Sequence, residues 1–445
     1  MVLHVCTICS KTFKQKGHLT THTNRKVPCV KNNITEELVK EAIKPSLIQA
    51  NQIDYSRKTI AELIALCKER KIKGYSGKSK NAIIALFQTE PTQNVIVYSN
   101  NYKVISLFSG MGGMDVGFAE QVVVHKNSVQ SDYIETPYSS IDGFVNLKRL
   151  PFTTVLQNDI LPEAKLISEL NNWNHNFQLK DIRDLLKDNY AFPDADVITG
   201  GFPCQDFSHA GKRQGFDATR GTLYQSYVEL VKRVKPTIFV AENVNGLLTM
   251  PGNPINKIIA DFTAVGYEVK YQLIKCEEYG IPQTRWRVII MGIRIDKKKN
   301  LAEDWNIITE NKLTCHIRHY FKHLQEPSVS TDPAQQAYSK AARLEKGQGQ
   351  KEVGLDEFAP TMRAEHHGNI EFRRVNGGKN EKDLTERRLT VREAALIQTF
   401  PPDCKLTEPN KVSGKAYKPI GNAVPPLLGY IIARKVYQLL KKIES

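Results

Sequence analysis

Residues 104–115 read Val104-Ile105-Ser106-Leu107-Phe108-Ser109-Gly110-Met111-Gly112-Gly113-Met114-Asp115. An apolar run of strand length enters a turn with three glycines. Glycine permits positive φ and lets the backbone approach a ligand closely. The spacing departs from the dinucleotide fingerprint, so the turn alone names no ligand.

Working outward, several more segments end as strands with a polar group at the tip. Val197-Ile198-Thr199 runs into Gly200-Gly201-Phe202-Pro203-Cys204-Gln205. A thiol on a loop at the carboxyl end of a strand sits where open α/β sheets carry chemistry. It reads as a candidate nucleophile or as a buried structural cysteine. Phe239-Val240-Ala241-Glu242-Asn243-Val244 ends in a carboxylate. Gln283-Thr284-Arg285-Trp286-Arg287 places two guanidinium groups on one face of the strand that continues as Val288-Ile289-Ile290-Met291. Gly421-Asn422-Ala423-Val424-Pro425-Pro426 precedes a C-terminal helix. Between these strands, apolar residues recur at helical spacing: Leu223, Tyr227, Leu230, Val231 and Val234, then Ile255, Ile258, Ile259 and Phe262. These stripes read as core. Strands alternating with such helices predict an α/β fold with a mostly parallel sheet.

Taken in order, these motifs resemble the DNA (cytosine-5-)-methyltransferases: the Phe-x-Gly-x-Gly-Gly loop, Pro-Cys-Gln, Glu-Asn-Val, Gln-x-Arg-x-Arg and Gly-Asn-x-Val-Pro. Two softer matches are Arg220-Gly221-Thr222-Leu223, and Arg388-Leu389-Thr390-Val391-Arg392-Glu393 ahead of Phe400-Pro401. The resemblance covers roughly residues 103–441. It implies a Rossmann-like sheet that binds S-adenosylmethionine, with a small target-recognition lobe.

The resemblance also implies roles. Carbon 5 of cytosine is a poor nucleophile, and a thiolate adding to carbon 6 turns the ring into an enamine. Cys204 is the implied thiolate, and Arg285 and Arg287 are candidates to lower its pKa. Glu242 is implied to hold the position-3 nitrogen and the exocyclic amine. Arg287 is implied to contact the position-2 carbonyl, and Arg285 to brace the active-site loop. The target base must leave the duplex, which costs a few kcal/mol. Gly211, Lys212, Arg213 and Gly215 resemble a loop closing over flipped DNA. Phe108, Gly110, Gly112 and Gly113 match the cofactor loop, Asp159 the ribose carboxylate, Asp181 the residue near the adenine amine, and Asn422 a residue by the methionine end. Residues 123–152 are extra sequence relative to the family, read as a surface excursion.

A chain of 445 residues is long for one core, so several domains are expected. No long apolar run or signal-peptide core is visible, which predicts an intracellular protein without a membrane span. Eight cysteines without a secretion signal favour metal or catalytic use. Net charge is +15, and the first 100 residues contribute +9 of it, which suggests a polyanionic partner. Within residues 1–31, Cys6-x-x-Cys9, Phe13, Leu19 and His22 match a ββα zinc finger. Lys26 stands where a second histidine is expected, so Cys29 is the best fourth ligand and His18 a competitor. Residues 54–88 read as two short helices. Thr59-x-x-Glu62 is a capping box, and Ile60, Leu63, Ile64 and Cys67 form a stripe. Lys71, Lys73, Lys78 and Lys80 cluster at the turn, so this part resembles a SAP-type DNA-binding module. Residues 89–102 look like a linker.

The catalytic domain is expected over 103–294, the recognition region over 295–387 and the remainder of the catalytic domain over 388–445. Arg363, Arg373 and Arg374 are plausible base-edge contacts. The whole reads as a monomeric enzyme acting on double-stranded DNA, with a cognate restriction endonuclease as a candidate partner. A tRNA cytosine methyltransferase and an inactive DNA-binding protein are the competing readings.

Overall fold

The structure is a computed structural model that separates into two units, Met1–Ile96 and Val97–Ser445. It describes residues 101–445 except 174–175, 204–222, 301–304, 309–311, 341–351, 365–371 and 374–386. In the N-terminal unit it describes only His4–Val5, Thr12–Phe13, Thr59, residues 63–64 and residues 79–80.

In the N-terminal unit, β1 (His4–Val5) pairs antiparallel with β2 (Thr12–Phe13), His4 opposite Phe13. The Leu63 N–H donates to the Thr59 carbonyl at 3.0 Å, the spacing of a helical turn. Leu63 is fully buried, in keeping with its place in the expected apolar stripe.

The second unit opens with β3 (Tyr102–Leu107). A three-stranded meander follows: β4 (Val123–His125), β5 (Ile134–Pro137) and β6 (Phe144–Leu147). Next come β7 (Phe152–Asp159), β8 (Phe177–Leu179), β9 (Val197–Gly200), β10 (Ile238–Val244) and β11 (Tyr267–Lys275). Then come the short β12 (Gln283–Thr284) and the long β13 (Trp286–Arg294). The main sheet has the order β11-β13-β10-β9-β3-β7-β8. β13 is antiparallel to both of its neighbours, and the other pairings are parallel. The central strands are apolar on both faces because helices cover both, as parallel sheets require.

On one face lie the helices Leu223–Val234 and Pro254–Ala264, whose predicted stripes are buried or half-buried. The Tyr227 hydroxyl donates toward the Ile198 and Val240 carbonyls at 3.0 and 2.9 Å, tying β9 to β10 beneath that helix. On the other face lie helix Gly113–Ala119 and the C-terminal helix Pro426–Glu444. These two pack backbone to backbone, since a Cβ on Gly117 would lie 2.4 Å from the Gly429 carbonyl carbon.

The extra sequence after Val122 is not a loose excursion. Val123, Val124, Phe144, Val145 and Leu147 of the meander are buried in the core. Its far end supports helix Ile317–Phe321 of the predicted recognition region. The Ser128 and Tyr320 hydroxyls are 2.7 Å apart, and the His125 and His319 rings stack at 4.7 Å. Burial pulls the His125 imidazole down to about 4, and neighbouring His319 and Lys126 push the same way. A neutral imidazole is therefore part of this joint. The apolar strands were hidden at sequence level because each is only three or four residues long, between polar turns.

Candidate active site

The carboxyl ends of β3, β7, β9 and β10 converge on a cavity of about 410 Å³. Its wall includes Phe108, Gly110, Asp159, Asp181, Pro203, Glu242, Arg285, Arg287 and Asn422. Residues far apart in sequence thus meet at one site, at the sheet edge where open α/β folds bind ligands.

The glycine turn is built for this. Phe108 has φ 50°, Gly110 φ 55° and Gly112 φ 86°. A non-glycine residue in that region is strained by about 1–3 kcal/mol, which the surrounding packing must offset. The Gly110 N–H donates to Asp159 Oδ2 at 2.7 Å, and the Leu161 N–H donates to Oδ1 at 2.9 Å. Those bonds fix the carboxylate at the cavity wall. Burial raises the Asp159 carboxyl above its ordinary range, against the pull of its backbone donors. Asn158 anchors the next strand end, donating to the Gln178 and Lys180 carbonyls at 3.0 and 2.7 Å.

Some of the expected cofactor residues do other work. Gly112 and Gly113 do not line the cavity. Gly112 caps helix Gly113–Ala119, and a Cβ on Gly113 would lie 2.0 Å from the Val424 carbonyl oxygen. They let the helix start and let the 421–424 segment come close. Asp181 lines the cavity, but its carboxylate also caps helix Ile182–Lys187 and pairs with Arg183 Nη2 at 2.6 Å. The Arg183 contact holds that carboxyl below its ordinary range.

At the other end, Glu242 Oε1 and Arg287 Nε lie 2.6 Å apart, with both side chains about one-tenth exposed. Asn243 Nδ2 donates to the Phe202 carbonyl at 3.0 Å. The strand that carries Glu242 therefore also fixes the backbone two residues before Cys204. Cys204 itself lies outside the described residues, as do Lys212 and Arg213, while Pro203 lines the cavity.

Arg285 is fully buried. Nη1 donates to the Met362 carbonyl at 2.9 Å, and Nη2 to the Gly421 and Ala423 carbonyls at 3.1 and 3.0 Å. Burial pushes it down to about 9, with the Arg287 charge adding to the effect. Two of these partners, Gly421 and Ala423, flank Asn422 on the cavity wall, and the catalytic loop that Arg285 is expected to brace lies outside the described residues.

Sequence reasoning left some wall residues without a role. Lys418 lines the cavity one helical turn before Asn422, a spacing that could have flagged it. Asn243 sits inside a quoted motif but received no function. Of the expected recognition residues, Arg363 is exposed, while the side chains of Arg373 and Arg374 lie outside the described set. The zinc candidates Cys6, Cys9, His22 and Cys29 also lie outside it. Among the described residues no group of three His, Cys, Asp or Glu could hold a metal ion, and no helix is long and apolar enough to cross a membrane.

A doubly covered, mostly parallel sheet with a cavity at its strand ends defines an open α/β ligand-binding fold. Residues 102–438 match the family described as C-5 cytosine-specific DNA methylase, and the chain belongs to that family. It is 33% identical over 365 residues to the Type II methyltransferase M.BspRI of Lysinibacillus sphaericus, covering 76% of this chain and 82% of that protein. It is 32% identical over 372 residues to the Type II methyltransferase M.BsuRI of Bacillus subtilis, covering 78% and 82%. The fold is similar to that of the Entamoeba histolytica methyltransferase EhMeth, with a TM-score of 0.54 at 17% identity over 77% of this chain and 99% of that one. It is also similar to that of S. pombe Dnmt2 methyltransferase, with a TM-score of 0.52 at 19% identity over 76% and 99%. The enzyme is a DNA (cytosine-5-)-methyltransferase, and S-adenosylmethionine is the methyl donor expected for its family.

The wall suits such a donor. A half-buried carboxylate held by two backbone donors offers acceptors for two ribose hydroxyls, and exposed Asn422 and Lys418 offer donors nearby. Asp159→Ala is expected to weaken S-adenosylmethionine binding about tenfold or more, the scale of a lost charge-assisted hydrogen bond. The sign with pH follows from the raised carboxyl. Its ionised form opposes folding, so its contribution to stability is full at low pH and lost as pH rises through the folded value. Cofactor affinity runs the other way, falling as pH drops through that same value. Calorimetric titration across about pH 4–8 checks both the loss and its direction.

Proposed function

We propose that the enzyme methylates a cytosine within a specific duplex sequence, with Cys204 as nucleophile and the target base extruded into the cavity. The observation that carries this reading is the arrangement of one cavity. Pro203, Glu242 and Arg287 stand at one end, and Phe108, Asp159 and Asn422 complete its wall.

The Cys204 thiolate attacks carbon 6 and forms the sulfur–carbon bond. Glu242 holds the position-3 nitrogen and the exocyclic amine, and Arg287 the position-2 oxygen, so the ring accepts the electron pair. Bound S-adenosylmethionine would supply the electrophilic methyl group. Carbon 5 takes it, releasing S-adenosylhomocysteine. Water then takes the carbon-5 proton, the electron pair of that bond re-forms the carbon 5–carbon 6 double bond, and the Cys204 sulfur leaves as thiolate. Asp159 and Asn422 bind and orient the donor, with Asp181 near the adenine. Electrostatic contacts aimed at developing charge are the main source of rate in such a site.

The Type II methyltransferase relatives support a place in a restriction-modification system, with a cognate endonuclease as partner. Residues 295–387 supply sequence readout. The N-terminal unit adds affinity. Cys6, Cys9, His22 and Cys29 hold one zinc ion; the antiparallel β1–β2 pairing, in keeping with the first half of a ββα finger, supports this. Residues 54–88 form the SAP-like module. Removing residues 1–100 is expected to weaken DNA binding and flatten its salt dependence by about one slope unit per lost phosphate contact, with the methylated sites unchanged. Binding titrations at several salt concentrations, with sequencing of the modified sites, check this division of labour.

The direct test of the function is methyl transfer to duplex DNA and to tRNA side by side. Incorporation into duplex DNA supports the reading, and incorporation into tRNA alone rejects it.

A further inference from the structure

A buried amide that the mechanism does not use holds the turn that carries Asn422. Gln398 follows helix Val391–Ile397 and is fully buried. Its Nε2 donates to the Ile420 carbonyl at 2.6 Å and to the Ala423 carbonyl at 3.1 Å. Its Oε1 accepts from Gln283 Nε2 at 2.6 Å. Gln283 donates as well to the Ile397 carbonyl at 2.9 Å, and its Oε1 accepts from the Met362 N–H at 3.3 Å. Arg285 approaches the same turn through the Gly421 and Ala423 carbonyls.

Gln398 and Arg285 thus hold the 420–423 turn through its carbonyls. The turn carries Asn422, whose exposed side chain lines the cavity. It has little slack elsewhere. A Cβ on Gly421 would lie 2.1 Å from the Arg363 carbonyl oxygen, and the next segment presses Val424 against Gly113. Without the Gln398 amide, the Ala423 carbonyl keeps only Arg285 and the Ile420 carbonyl only the Ala423 N–H at 3.2 Å, so the turn loses its side-chain tie to the end of helix Val391–Ile397 and gains freedom to move.

We propose that Gln398 is a positioning residue for cofactor binding: by holding the Ile420 and Ala423 carbonyls it sets the Asn422 side chain against S-adenosylmethionine. This rests on the assignment of that wall to the cofactor. Gln398 touches neither cofactor nor base, so its effect passes through Asn422. A purely structural residue would lower stability and affinity independently of Asn422. A residue acting through Asn422 couples to it.

A double-mutant cycle on the full chain tests this. Calorimetry measures S-adenosylmethionine affinity for wild type, Gln398→Met, Asn422→Ala and the double variant. Thermal melting of each reports folding, and duplex DNA affinity without cofactor is the control. Gln398→Met is expected to weaken cofactor binding about tenfold in the wild-type background and less than about twofold beside Asn422→Ala, with DNA affinity unchanged. Gln398→Glu, held protonated by burial, keeps an acceptor for Gln283 but offers the turn one O–H donor in place of two N–H donors. It is expected to show the same pattern, and it serves if the Met variant does not fold. Additive losses, or a loss confined to DNA binding, overturn the positioning role. If Asn422→Ala binds S-adenosylmethionine like wild type, the cofactor assignment of this wall fails, and the proposal fails with it.

Discussion

Cys204→Ser is expected to lower methyl transfer by at least about 10³-fold while leaving duplex binding nearly unchanged. The magnitude follows from removing the covalent nucleophile, the largest single loss such a site can suffer. A serine hydroxyl is far less ionised than a thiol near neutral pH. Binding should survive because phosphate contacts, spread over a chain of net charge +15, supply most of the affinity. Single-turnover transfer rates and gel-shift affinities for the same preparations separate the two effects. A Cys204→Ser enzyme that methylates within about tenfold of wild type contradicts covalent catalysis.

Glu242→Gln is expected to cost about 10²–10³-fold in transfer, the range for one group that stabilises the reacting form. The carboxyl can pass a proton to the ring nitrogen while accepting from the exocyclic amine; an amide offers a similar donor and acceptor but has no proton to transfer. The substitution also leaves Arg287 without the carboxylate now 2.6 Å from Nε. In a site where both side chains are about one-tenth exposed, an unpaired guanidinium is costly. The two causes can be told apart. If the substitution acts by loosening the hold on the base, melting and S-adenosylmethionine affinity change little and the transfer rate falls. If it acts by stranding Arg287, the melting temperature falls as well, and Arg287→Leu beside it restores the stability. Neither outcome returns the rate. A variant with near-normal transfer would falsify the role given to Glu242.

Much of this site is legible in the sequence because its chemistry sits at strand ends. Each strand is an apolar run, and the residue that follows is the one presented to the cavity. That rule marks Glu242, directly behind Phe239-Val240-Ala241, while Asp159 is marked by the family resemblance; both line the cavity. The long helices were equally readable, since Tyr227, Leu230 and Val231 repeat at the period of a buried face.

What could not be read is whatever depends on a partner far away in sequence. Gly112 and Gly113 look like ligand glycines, yet the room left beside Gly113 is filled by the 421–424 segment, far later in the chain. Gln398 is one amide in an ordinary helix end. Its importance lies in carbonyls at 420 and 423, which no local pattern announces. The meander after Val122 was likewise obscured, because its strands are short and gain their burial from the helix at 317–321.

The central claim is that Cys204 forms a covalent bond to carbon 6 of a cytosine in duplex DNA. Duplex DNA carrying 5-fluorocytosine at the target position tests it, since the fluorine blocks the loss from carbon 5 that frees the enzyme. Wild-type enzyme with S-adenosylmethionine is expected to give a denaturant-resistant protein–DNA adduct, with peptide mass spectrometry placing the link at Cys204. An adduct mapped to another residue, or none with an enzyme that methylates the unmodified duplex, contradicts the account.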